Sequence, residues 1–109
     1  MATSSAAATA LSETEKIQAL IALVESLKDA TFVRNGTEND CQAAADHMRN
    51  KWRLQQEQIK TARDFVRLVA TKSTLSGQPY LIRAKDGKQI TSEQFLLGEL
   101  AKLEPAAQR

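Results

Sequence analysis

The sequence predicts a small α+β domain, with about four helices packed against two short β-hairpins, and three observations lead there. Apolar residues recur at steps of three and four in several segments, as on one buried face of a helix. Between those segments stand two turn-forming dipeptides, Asn35-Gly36 and Asp86-Gly87, each flanked by short β-prone runs. The chain has 109 residues, enough for one domain, and 42% of them are hydrophobic against 26% charged, which suits a folded chain. The expected division is a disordered tail over 1–11, a single domain over 12–104 and a frayed end over 105–109.

Ser12 and Glu15 form a capping-box pair, so a helix begins there and runs from about Glu13 to Lys28 on the stripe Ile17, Leu20, Ile21, Val24 and Leu27. Thr31 to Arg34 is a short strand. Asn35-Gly36 then turns the chain into the brief return arm Thr37 to Asn39, too small a hairpin to stand without helices beneath it. Asp40 caps a second helix whose inward side reads Cys41, Ala45, Met48 and Trp52. After a polar stretch to Ile59, Thr61 and Asp64 cap a third helix with the stripe Ala62, Phe65, Val66 and Val69. The run Ser73 to Pro79 breaks the helix, and Tyr80 to Arg83 pairs across Asp86-Gly87 with Gln89 and Ile90. Thr91, Ser92 and Gln94 open a last helix bearing Leu96, Leu97, Leu100 and Leu103, which ends at Glu104-Pro105.

Several functional classes are excluded or disfavoured by composition alone. No run approaches the roughly 18 apolar residues of a membrane helix. One cysteine, Cys41, permits no internal disulfide, and one histidine, His47, has no second imidazole for a metal site, so no metal and no cofactor is expected. From Arg49 to Lys88 ten basic residues face three acidic ones, whereas residues 1–48 carry three basic and seven acidic groups. Arg49, Arg53 and Lys60 would form a basic stripe on an unbroken second helix. The net charge is only +2, and no aromatic platform accompanies the stripe, so a solvated face or an acidic partner is favoured over nucleic acid.

In order along the chain, Phe32-Val33-Arg34-Asn35-Gly36, Cys41, Ala44, His47, Arg49, Lys51, Thr61-Ala62, Phe65, Val69-Ala70, Ser73, Ser76-Gly77 and Pro79-Tyr80-Leu81-Ile82 give a pattern over residues 14 to 100. That pattern resembles the YfeK-like family of small exported bacterial proteins of unknown function. The resemblance implies a small α+β domain made with a signal peptide and released into the periplasm, and it implies no established activity. The Ala/Ser/Thr-rich residues 1–11 agree with export, since such sequence is common just after a signal cleavage site.

Two constellations carry chemistry. Cys41 and His47 pair a nucleophile with a base, yet on one helix their side chains point about 120° apart, which favours Cys41 as a buried hydrophobe. His47 and Lys51 lie four apart on a helix flank, and Arg34 on the neighbouring hairpin approaches them, a set of donors suited to a carboxylate or phosphate. Asn35 belongs to the same hairpin. The hydroxyl-rich loop with Ser73, Ser76 and Gly77, leading to Tyr80, adds hydroxyls and amides to that surface, although a plain connection with Gly77 at positive φ explains it too. The functional expectation is a non-enzymatic periplasmic binding module for an anionic group or an envelope protein. The alternative is a small envelope enzyme with His47 as acid or base, which a deep pocket at His47 lined by Arg34 and Ser76 would favour. An unperturbed imidazole at position 47 would tighten anion binding as pH falls from about 7.5 to 5.5.

Overall fold

The computed structural model describes residues 11–71 and 77–103. Four α-helices and four strands follow in the order α1 (Glu13–Ser26), β1 (Thr31–Arg34), β2 (Thr37–Asn39), α2 (Cys41–Leu54), α3 (Ala62–Phe65), β3 (Leu81–Arg83), β4 (Gln89–Thr91) and α4 (Ser92–Leu103). The protein is thus α+β. Ser73, Ser76 and the terminal segments 1–10 and 104–109 lie outside the described residues.

Local chemistry sets the helix starts. Ser12 accepts from the Glu15 amide while Glu15 reaches back to the Ser12 amide, and Thr61 with Asp64 repeats the arrangement at α3. Asp40 accepts from the Ala43 amide to cap α2, and the Gln94 amide donates to Thr91 Oγ1 at 3.1 Å at the start of α4. A longer-range cap joins the two halves of the chain: the Ala62 amide donates to Glu13 Oε1 at 2.8 Å. Glu13 also holds Lys16, a buried lysine, at 2.8 Å.

Helix α1 stops at Ser26, two residues short of the expected Lys28, because the backbone leaves helical angles at Leu27 (φ −84°, ψ 68°). Helix α2 stops at Leu54, and Gln55 begins a turn. The expected basic stripe is therefore broken: Lys60 is not on this helix, Arg49 is paired with Glu25 and Asp46, and Arg53 donates to Asn50. Helix α3 continues into a π-helical segment over Val66–Ala70, where Thr71 Oγ1 donates to the Val66 carbonyl at 2.7 Å.

The two hairpins do not form separate sheets. Strand β1 also pairs antiparallel with β3, with Phe32 opposite Ile82, to give one sheet in the order β2-β1-β3-β4. Asn35 (φ 54°) and Gly36 (φ 78°) supply the two positive angles of the first turn. Alternation places Phe32 and Ile82 on the face that meets the helices, and both are buried. Ile17, Leu20, Ile21 and Val24 of α1, Phe65, Val66 and Val69 near α3, and Leu96 and Leu100 of α4 complete the core. Cys41 is buried and its thiol donates to the Glu25 carbonyl at 3.2 Å. Trp52 departs from expectation: it is partly buried at the core's margin, edge-on to Phe65 with ring centroids 6.2 Å apart.

Candidate functional site

Period-two alternation along the strands decides what the sheet offers at its end. Arg34 falls on the same face as Phe32, and Tyr80 on the same face as Ile82, so both point toward α2. On α2, His47 and Lys51 are one turn apart on the side that meets them. The backbone of Tyr80 is fixed on both sides, its amide donating to the Thr71 carbonyl at 3.1 Å and its carbonyl accepting from the Ser92 amide at 2.9 Å.

Four side chains converge there. Arg34 Nη1 stands 2.8 Å from His47 Nδ1 and 3.1 Å from Nε2, a near-equal spacing that sets the guanidinium against the face of the ring. His47 Nε2 also lies 3.3 Å from Tyr80 Oη. Lys51 Nζ donates to the same phenolic oxygen at 3.5 Å and stands 5.7 Å from the ring centroid, a cation–π contact. The His47 and Tyr80 rings meet edge to face at 5.9 Å.

The electrostatics are one-sided. Among the described residues no ion pair involves Arg34 or Lys51. Burial, reinforced by Arg34 and then Lys51, lowers the His47 imidazolium to a pKa of about 4. Burial and Arg34 also pull Lys51 below the ordinary lysine value, and burial lifts the Tyr80 phenol above its ordinary value against the pull of Arg34. At that value His47 is neutral at physiological pH, so its titration gives no ground to expect anion binding to strengthen between about pH 7.5 and 5.5.

A cleft of about 40 Å³ opens beside this cluster, between α2 and the ends of β1 and β3. Arg34, His47 and Tyr80 line it together with apolar residues, among them Phe32, Ala43, Ala44 and Met48. Asn39 also faces it, with its amide nitrogen donating to the Phe32 and Thr37 carbonyls. Of the expected site residues, Arg34, His47, Lys51 and Tyr80 are brought together. Asn35 serves the turn, and Gly77, exposed with φ 74°, stands apart from the cleft lining. The apolar wall and Asn39 were not foreseen; alanines at 43 and 44 carry no chemical signal, and only the docking of α2 against the sheet turns their small size into a gap.

The fold and this cluster define the class: a small α+β domain with a cationic cleft at the end of its sheet. The chain belongs to DUF5329, a family of unknown function that it matches over residues 11–104. It is similar to "Uncharacterized protein YfeK" of Salmonella typhimurium, 38% identical over 68 residues. That match covers 62% of this chain and 57% of the relative, so the chain matches little more than half of the relative's length. No solved structure matches. Among the described residues no group of three His, Cys, Asp or Glu side chains is placed to hold a metal ion, and no described helix is long and apolar enough to cross a membrane.

Proposed function

We propose that this protein is a non-enzymatic binding module that recognises an anionic group through Arg34, Lys51 and Tyr80. The observation that carries this reading is a pair of cations, Arg34 in the cleft lining and Lys51 beside it at Tyr80, that flank a neutral imidazole and have no carboxylate partner among the described residues. Two like charges held close cost free energy unless something compensates them, and a bound anion is that compensation. His47 packs against the Arg34 guanidinium and stands 3.3 Å from Tyr80 Oη, so it holds both groups at the cleft. As a general base His47 is poorly suited, since burial and the Arg34 cation against its ring make its conjugate acid strong. The cleft is small and half open rather than deep, which favours the module over the envelope enzyme.

We place the module in the bacterial periplasm, on the support of the Ala/Ser/Thr-rich residues 1–11. An envelope protein presenting an acidic group is then a natural partner. Fractionation of cells that make the native full-length product checks this, and recovery in the cytosol overturns it.

The binding reading is tested by amide shift titration with acetate and with inorganic phosphate at low salt. Saturable shifts at Arg34, Ala44, His47 and Tyr80 are expected. Arg34→Ala should abolish them while the remaining spectrum stays dispersed, with about 1.5–3 kcal/mol of binding lost for a charge-assisted hydrogen bond. An Arg34→Ala protein that unfolds, while wild type shows no saturable shift, assigns Arg34 to structure instead.

A further inference from the structure

We infer that the cleft selects a carboxylate carried on a short aliphatic group, with the carboxylate on Arg34, Lys51 and Tyr80 and the aliphatic part against Phe32, Ala43, Ala44 and Met48. This deepens the anion-binding reading and rests on it. Three observations lead to the choice among anions. First, Arg34 is the one cation among the ten lining residues, and six of them, the four just named with Val33 and Leu81, are apolar. A strongly hydrated dianion such as phosphate gains nothing from such a wall and must shed water to approach it, whereas an alkyl carboxylate buries its chain there. Second, the space is about 40 Å³. A water needs roughly 10–15 Å³ of it, so about three water-sized groups fit, enough for part of a short alkyl carboxylate and for no larger body. Third, the amide of Asn39, which would otherwise offer further polar donors beside the apolar wall, is taken up by the Phe32 and Thr37 carbonyls. The donors left to a ligand are the Arg34 guanidinium and the Tyr80 hydroxyl in the lining, with the Lys51 ammonium beside that hydroxyl.

Such a group occurs in free short-chain acids and at the C-terminus of a peptide ending in a small residue. The shared chemistry is what the cleft reads.

The test is an amide shift titration of the full chain at pH 7 and low salt with formate, acetate, propionate, butyrate, N-acetyl-alanine and inorganic phosphate. Dissociation constants for ligands of so few atoms fall in the millimolar range, which shift titration measures directly. Affinity should rise about fourfold for each carbon added from formate to propionate, the ratio equivalent to about 0.8 kcal/mol per buried methylene, and should level off at butyrate as the chain emerges from the cleft. Ala43→Leu fills part of the wall from an exposed helical position. That variant should erase the gain between formate and propionate. N-acetyl-alanine binding more tightly than propionate supports the shared chemistry with a peptide end as its source, and the reverse order supports it with a free acid as its source. Affinity independent of chain length, or phosphate binding more tightly than propionate, overturns the selectivity and leaves the anion site standing. No saturable shift with any of the six overturns both.

Discussion

The Arg34 guanidinium stands 2.8 Å from the His47 imidazole, so a permanent cation leans on the one side chain in this protein that would otherwise titrate near neutrality. The contact joins the end of strand β1 to the middle of helix α2, and together with burial, the larger cause, it favours the neutral form of His47.

Stability should therefore depend on pH in a window set by His47. The folded pKa, about 4, lies below the ordinary value of 6.5. Between those values the unfolded chain binds more protons, so stability rises with pH across the window and is lost as pH falls from about 6.5 toward 4. For a half-exposed ring, solvent screening limits the loss to about 1–2 kcal/mol. Urea melts of wild type and His47→Gln at pH 7 and 4.5 measure it: the difference between the two proteins should shrink or reverse at the lower pH.

Anion affinity should be flat from about pH 7.5 to 5.5 and strengthen only below about pH 5, as His47 begins to add a third charge. Ethanesulfonate, ionised throughout, is a suitable probe. A midpoint near pH 6.5 in its binding curve would show an ordinary imidazole.

Glu13 links the first helix to the third. It caps Ala62 and holds the buried Lys16, and those two hydrogen bonds, Lys16 first, keep its carboxyl below the ordinary glutamate value. Glu13→Ala should cost about 1–3 kcal/mol in chemical denaturation, more than the loss of an exposed cap alone. The contribution of this carboxylate is present above its unfolded pKa and disappears as pH falls below about 4.5.

Trp52 and Phe65 should separate in cost. Phe65 is fully buried, and Phe65→Ala should lose about 3–5 kcal/mol. Trp52 keeps part of its surface in solvent, so Trp52→Ala should lose about 2–3 kcal/mol, which paired denaturation curves resolve.

What the sequence made legible was local. The caps at Ser12, Asp40 and Thr61 and the Asn35-Gly36 turn depend on neighbours within four positions, and all stand where their spacing puts them. The approach of Arg34 to His47 and Lys51 was legible for the same reason, as a tight turn followed at once by a capped helix leaves little freedom. The β1–β3 pairing was not, since strands of three and four residues separated by nearly fifty positions carry no signal of their partners. Nor was the π-helical segment at Val66, which follows the same apolar stripe as an α-helix would. The depressed His47 value arises from burial and from neighbours gathered by the tertiary fold, and those are absent from any list of residues.

The most direct test of an uncompensated cationic cleft is the NMR titration of the His47 ring itself, the only histidine in the chain. The account predicts a midpoint near 4 in the ligand-free protein, raised toward the ordinary value, though not to it, by Arg34→Gln, because burial remains when the guanidinium is gone. A midpoint at or above 6.5 in the wild-type protein would mean that the chain already supplies an anion to Arg34 and Lys51, and would contradict the proposal that they await one.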